Sequence, residues 1–91
     1  MRVTILRKRW TLYFKKMRAH WGLADRPSTP GKEIHIDPRH PSDADLLETV
    51  VHEILHCALP QWDEESVDRL GKDMARILTR LGYRRETEPK E

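Results

Sequence analysis

The stretch Val50–Ala58 reads VVHEILHCA, and it decides both the fold and the chemistry of this chain. It contains the pattern His-Glu-x-x-His, in which His52 and His56 are four residues apart. On an α-helix two such residues project from the same face, so their imidazoles can bind one metal ion. Zn²⁺ is the usual ion for such a pair. Glu53 projects in another direction but can reach a water molecule at the metal, as a general base does in metal-assisted hydrolysis.

The distribution of apolar side chains around this helix supports a metal site. At about 100° per residue, His52 and His56 fall on one side of the helix. The apolar residues fall on the opposite side, where a helix meets a protein core. They are Leu46, Leu47, Val50, Val51, Ile54, Leu55 and Ala58. A histidine that only fills the core would more often lie among these residues, so we interpret His52 and His56 as ligands.

A second helix follows and offers the third ligand that a catalytic zinc usually requires. Asp63 is its expected N-cap, and Gly82 is expected just beyond its last turn. Helical spacing places Glu64 at the edge of the packed side and Glu65 toward solvent, so Glu64 is the first choice of ligand and Glu65 the second. Asp68, one turn after Glu64, is placed to accept a hydrogen bond from the far nitrogen of a ligating histidine. The remaining candidate ligands are Asp63, His20, His35 and His40.

The first 20 residues predict a basic β-hairpin. Arg2–Leu6 and Trp10–Phe14 alternate apolar and polar side chains, as strands with one buried face do, and residues 7–9 predict the turn between them. These 20 residues contain seven Lys and Arg and no Asp or Glu. We interpret this charge as a solvated outer face that protects the edge of a sheet. A nucleic-acid binding surface is the alternative that the pattern leaves open.

A third short strand is expected at Lys32–Asp37, before the metal helix. Ile34 and Ile36 point to one face of this strand and His35 to the other. Between the hairpin and this strand no period is visible, and residues 21–25 predict a turn. The predicted fold class is therefore α+β, with a short three-stranded antiparallel or mixed sheet followed by a metal-binding helix and a second helix.

Length and composition limit the class of protein. The 91 residues predict one small domain, residues 1–83, with residues 84–91 as a flexible tail. Hydrophobic residues make up 37% and charged residues 35%, so the core is small and a bound metal could add stability. A net charge of +2 requires no acidic partner. Cys57 is the single cysteine, and we expect it to be a buried thiol. We also expect a cytoplasmic, monomeric protein without a membrane span.

The two helical patterns together resemble the zincin metallopeptidases, specifically the gluzincin branch. His52, Glu53 and His56 match the first motif of that branch, and Glu64-Glu65-Ser66-Val67-Asp68 is similar to its Glu-x-x-x-Asp "glutamate helix". The layout is similar to the single-domain minigluzincins, and to small phage and bacterial metallopeptidases with Gly-Lys-x-Ile-x-Ile-Asp before the metal helix. The resemblance covers residues 31–83.

This resemblance implies a zinc-dependent metallopeptidase. Carried over, it makes His52, His56 and Glu64 the zinc ligands, Asp68 the residue that supports a histidine, and Glu53 the general base. A peptide or protein substrate is expected to lie extended along the strand that contains Ile34, His35 and Ile36. The residue that stabilises the oxyanion has no clear counterpart, and His35, His40 and Tyr83 are the candidates. The alternative is a zinc-stabilised module with little or no catalysis that binds a protein partner or DNA.

Overall fold

A computed structural model of the protein describes residues 1–85, which form a mixed four-stranded sheet and two helices. The α+β prediction is confirmed, but the sheet has four strands rather than three. The elements in chain order are β1 (Arg2–Ile5), β2 (Lys8–Phe14), β3 (Gly22–Ala24), β4 (Glu33–Ile36), α1 (Asp43–Ala58) and α2 (Glu64–Arg80). No helix within residues 1–85 is long and apolar enough to cross a membrane.

The order of strands across the sheet is β1-β2-β4-β3. β1 and β3 run antiparallel to their neighbours, whereas β2 and β4 are parallel. The extra strand, β3, lies where residues 21–25 predict a turn. A three-residue strand that begins with glycine offers no period to recognise, so only its pairing with β4 reveals it.

The β1–β2 connection is a two-residue turn formed by Leu6 and Arg7, one residue earlier than residues 7–9 predict. Ile5 pairs with Lys8, and both turn residues have positive φ, 48° at Leu6 and 68° at Arg7. Such a turn matches the twist of the two strands, but Asn and Gly adopt it more readily than Leu and Arg. The hairpin therefore forms with a locally unfavourable backbone.

One face of the sheet forms the core with α1. The buried cluster consists of Trp10, Leu12, Ile34, Ile36, Leu46 and Cys57. No helix within residues 1–85 covers the opposite face. The strand registers place on that face, which we call the open face, Arg2, Thr4, Arg9, Thr11, Tyr13, Leu23, Glu33 and His35.

Both helices begin at the predicted caps. The Ser42 side chain accepts a hydrogen bond from the backbone N–H of Asp45, and the Asp63 side chain accepts one from Ser66 at 2.7 Å. α2 contacts α1 and no strand of the sheet. The two helices approach closely at Gly71, where an added Cβ would lie 3.7 Å from the Cα atom of His52.

The chain between β2 and β3 is anchored by a buried carboxylate. Asp37 is 1% exposed and accepts hydrogen bonds from the backbone N–H groups of Met17 and Arg39, both at 2.9 Å. The Arg39 guanidinium also donates to Asp37, at 2.7 Å, and holds the pKa of that carboxyl well below its usual range. This contact fixes the segment that leads into β3.

The predicted flexible tail, residues 84–91, is only partly described. The guanidinium of Arg85 lies 4.6 Å from the centroid of the Phe14 ring, at cation–π distance. Residues 86–91 lie outside the described residues.

Candidate metal centre

The two histidines of α1 point away from the sheet and toward each other. Their Nε2 atoms are 3.1 Å apart, and the side chains are 18% exposed for His52 and 29% exposed for His56. One turn of helix separates them, and the apolar side of α1 holds that turn against the core. The predicted placement of both histidines is therefore found.

Glu64, the first residue of α2, completes a cluster with the two histidines. Its Oε1 lies 2.8 Å from Nε2 of His52, and its Oε2 lies 2.9 Å from Nε2 of His56. The alternative ligand, Glu65, turns to solvent and pairs with Arg69 at 2.8 Å. Asp63 is occupied as the helix cap. The choice of Glu64 over Glu65 therefore agrees with this geometry.

The three side chains can hold a metal ion, since one donor atom from each lies within 4.8 Å of the others. Ligands about 2.0–2.1 Å from a tetrahedral zinc are roughly 3.3 Å from one another. The distances of 2.8 to 3.1 Å in this cluster are slightly shorter, so a small outward shift would accommodate an ion. Two imidazoles and one carboxylate suit zinc as well as other divalent transition metals.

Asp68 lies behind His52, on the side predicted for it. Its Oδ1 is 3.8 Å from Nδ1 of His52, close enough for electrostatic attraction but too far for a hydrogen bond. The other carboxylate oxygen accepts a hydrogen bond from Lys72 at 2.6 Å, and this contact lowers the pKa of Asp68. Asp68 can orient His52 only if the two side chains move closer together.

Glu53 lies between the helix and the sheet. Its side chain is buried, 8% exposed, and burial raises its pKa, an effect that Glu64 increases and His56 opposes. Gly22 makes this position available, because a Cβ there would lie 2.9 Å from both Cγ and Oε2 of Glu53. The carboxylate therefore lies against the backbone of β3.

β3 is the edge strand beside the metal centre, and it has one unpaired edge. The backbone of Trp21 accepts a hydrogen bond from Asp37, and the N–H of Asp25 donates to Glu33 on β4. Hydrogen bonding alternates along an antiparallel strand, so the N–H and C=O groups of Gly22 and Ala24 point away from β4. They face the same cleft as the donor cluster.

The prediction that Ile34, His35 and Ile36 form the substrate strand is wrong. These residues belong to β4, which is hydrogen-bonded to β2 on one side and to β3 on the other. Ile34 and Ile36 are fully buried, and His35 lies on the open face, away from the metal centre. The cause of the error is β3, which the sequence does not reveal and which takes the edge position.

A cleft of about 810 Å³ surrounds the donor cluster and contains residues that the sequence analysis did not select. Trp21 and Trp62 line it and are 51% and 41% exposed. Exposed tryptophans at a cleft often contact a ligand, since they provide a large rigid surface. Both tryptophans lie in segments otherwise typical of loops, and this placement is the sequence signal that could have identified them as residues of the cleft.

Two of the candidate residues for oxyanion stabilisation lie away from this cleft. His35 is on the open face, and Tyr83 follows the end of α2 without lining the cleft. His40 lies nearer: its Nε2 is 2.8 Å from Oγ1 of Thr49, and its ring packs on Trp21. His20, considered above as a ligand, lines the cleft outside the donor cluster.

Comparison of the chain with models of protein families, with curated proteins and with solved structures finds no match. The resemblance to gluzincins therefore rests on the residues of the two helical patterns and stays a prediction.

Proposed function

We propose that this protein is a zinc-dependent metallopeptidase. The observation that carries the proposal is the arrangement of one cleft, in which the donor cluster, the Glu53 carboxylate and the unpaired edge of β3 adjoin one another. A zinc site that serves only stability is usually closed by four protein ligands, whereas catalytic sites have three and an open position. The donor cluster offers three protein ligands, His52, His56 and Glu64.

The chemistry divides between the ion and the chain. Zinc held by these residues would polarise a peptide carbonyl and lower the pKa of a water molecule. Glu53 would take a proton from the water as its oxygen bonds to the peptide carbonyl carbon, and would deliver that proton to the leaving nitrogen as the C–N bond breaks. No hydrogen bond to the Glu53 carboxylate is found within residues 1–85, so its oxygens are available to the proton.

The unpaired edge of β3 supports a peptide as the substrate. An extended peptide can add to a sheet edge through backbone hydrogen bonds. Bound beside Gly22 and Ala24, a peptide would pass over the Glu53 carboxylate and the donor cluster. The substrate therefore adds to β3, rather than to β4 as the sequence predicts.

Cleavage of unstructured casein by the zinc-loaded protein tests the proposal. Replacing Glu53 with Gln removes the base but none of the ligands, so we expect a roughly 10²- to 10⁴-fold loss of rate with unchanged zinc content by elemental analysis. Glu65→Gln is the matched control and should retain full activity, because Glu65 faces solvent. Equal cleavage by the wild type and Glu53→Gln would contradict the proposal. If both bind zinc and neither cleaves, the zinc-stabilised module is the better account.

A second experiment tests the position of the substrate. Ala24→Pro removes a backbone N–H that points away from β4, and proline is tolerated at such an edge. We expect KM to rise while zinc content and melting temperature change little. Leu23→Pro is the contrasting variant, since it removes an N–H on the side of β4 and should lower the melting temperature. An unchanged KM in Ala24→Pro would argue against binding at β3.

A further inference from the structure

The open face of the sheet has a row of side chains that crosses three strands. Tyr13, His35 and Leu23 are register partners on β2, β4 and β3. The rings of Tyr13 and His35 stack with centroids 5.2 Å apart and planes 19° apart. Tyr13 is 42% exposed and Leu23 is 48% exposed. Tyr13 and Leu23 therefore expose aromatic and apolar surface to solvent, and His35 covers one face of the Tyr13 ring.

Positive side chains flank this row at both ends of β2. Arg9 lies on the same face of β2 as Tyr13, and Arg2 lies on the same face of β1. Lys15 directly follows β2 and lines a small pocket with Leu23 and His35 of the row. From Arg9 to Lys15 an extended chain spans about 20 Å, at roughly 3.3 Å per residue. That length corresponds to several nucleotides of an extended strand. Arg9 and Lys15 therefore lie along the direction of β2 on either side of Tyr13, and the row crosses that direction.

The charge of the chain is divided between its two parts. Residues 1–24 contain seven of the 17 Lys and Arg and none of the 15 Asp and Glu, so the other 67 residues have a net charge of −5. All seven cations are exposed, and no ion pair is recorded for them within residues 1–85. Unpaired cations at this density attract a polyanion.

Two carboxylates lie near the row and are already engaged. Glu33 is on the open face, and its Oε1 lies 2.9 Å from Nε2 of His35. Asp25 accepts a hydrogen bond from the backbone N–H of Glu33 at 2.8 Å. Neither carboxylate pairs with Arg2, Arg9 or Lys15, so the attraction of these cations for an anion is retained.

We propose that the open face binds a single strand of nucleic acid, with a base stacked on Tyr13 and the phosphates along Arg2, Arg9 and Lys15. Proteins that bind single strands combine a positive track for the backbone with aromatic side chains on which bases stack. A duplex keeps its bases stacked internally and cannot offer one to Tyr13. An acidic protein segment would satisfy the cations but has no base to stack. The aromatic row therefore favours a single strand.

Fluorescence anisotropy with a fluorescein-labelled 12-nucleotide oligo(dT) tests the proposal. Tyr13→Leu should weaken binding by about 5- to 150-fold, since stacking contributes about 1–3 kcal/mol per base. Tyr13→Phe keeps the ring and should bind like the wild type. Melting curves of both variants check the fold. Equal binding by Tyr13→Leu and the wild type, with the fold intact, would overturn the stacking proposal.

A pair of charge variants tests the track of cations. Arg2→Gln combined with Arg9→Gln should weaken binding and lower the salt slope by about 1.4, at roughly 0.7 per phosphate contact for single strands. Arg76→Gln combined with Arg80→Gln removes the same charge from α2 and should bind like the wild type. Equal loss in both double variants would show attraction to net charge alone and overturn the site.

Competitors and a metal control complete the test. Unlabelled oligo(dT) should displace the probe far better than a duplex of equal length or polyglutamate, and equal displacement by either competitor would overturn the proposal. Glu53→Gln and chelation should leave binding unchanged, because the open face lies on the other side of the sheet from the metal centre. Failure of peptidase activity and failure of nucleic-acid binding are thus separate results.

Discussion

The two helices contribute to the metal centre in different ways. α1 packs against the sheet and presents His52, His56 and Glu53, all less than one third exposed. α2 packs only against α1, and its ligand, Glu64, is 70% exposed. The first half of the site is therefore held by the core between α1 and the sheet, whereas the second half lies at the exposed start of a helix that packs on α1 alone, through Val67, Gly71 and Ala75. An ion bound by all three side chains would therefore link the exposed start of α2 to α1.

The largest expected effect concerns the buried side of α1, at Cys57. Burial raises the pKa of this thiol to about 12, with Glu53 and Asp25 adding to the shift. The folded protein therefore keeps the thiol protonated as pH rises through the ordinary range of cysteine, while the unfolded chain forms thiolate there. Native stability consequently falls as pH rises above about 8.5.

Reaction of Cys57 with a disulfide reagent at pH 8 measures how far the folded protein protects this thiol. We expect reaction of the folded protein to be slower than that of the unfolded chain by on the order of 10³-fold or more, because access requires opening of the core. Fast reaction in the native state would mean that α1 is not firmly packed, and the contrast between the helices would be lost.

The ligands of the two helices should differ in their effect on metal affinity. His56→Ala removes a ligand that the core positions, so we expect a loss of more than about 100-fold, beyond the usual loss for an outer partner. Glu64→Ala should cost less than His56→Ala, because water can replace an exposed carboxylate. Zinc titration with a competing chelator measures both, with Glu65→Ala as control. A larger loss for Glu64→Ala would reverse the comparison.

Gly22→Ala tests the contact between α1 and β3. A methyl group at this position would lie 2.9 Å from the Glu53 side chain, so the carboxylate must shift. A misplacement of about 1 Å can reduce catalysis roughly 10²-fold, and we expect a fall in kcat of that order with unchanged zinc affinity. Gly31→Ala is the control, since nothing lies within 4 Å of its Cβ position. If Gly22→Ala retains full kcat, Glu53 does not act from this position.

The smallest effect is expected for Asp68→Asn on α2. At 3.8 Å the carboxylate does not hydrogen-bond to His52, so we expect a loss of zinc affinity near the lower end of the range for outer partners, about 10-fold. Lys72→Gln is an informative companion, because it releases Asp68 from its hydrogen bond. Tighter zinc binding in Lys72→Gln would indicate that Asp68 then moves to His52.

Features that depend on local periodicity could be predicted from the sequence. The helix caps Ser42 and Asp63, the shared face of His52 and His56, and the choice of Glu64 all follow from spacing within a few turns. Features that depend on distant pairing could not.

The position of β4 inside the sheet could not be predicted from the sequence, because it depends on pairing with β3, whose three residues show no pattern of their own. The role of Gly22 could not be predicted either. It depends on Glu53, which is 31 residues away and meets it only in the folded chain. The sequence therefore identifies the candidate metal ligands but not which strand lies beside them.

The close approach of the helices at Gly71 has a consequence for how metal affinity can be adjusted. An alanine there would meet the backbone of His52 at ordinary contact distance, whereas a leucine would act as a wedge and push the helices apart. Glu64 is two turns away on the same helix, so the wedge would widen the gap between it and both imidazoles. A bulky side chain at Gly71 would thus weaken binding of a metal ion without altering any of the three candidate ligands.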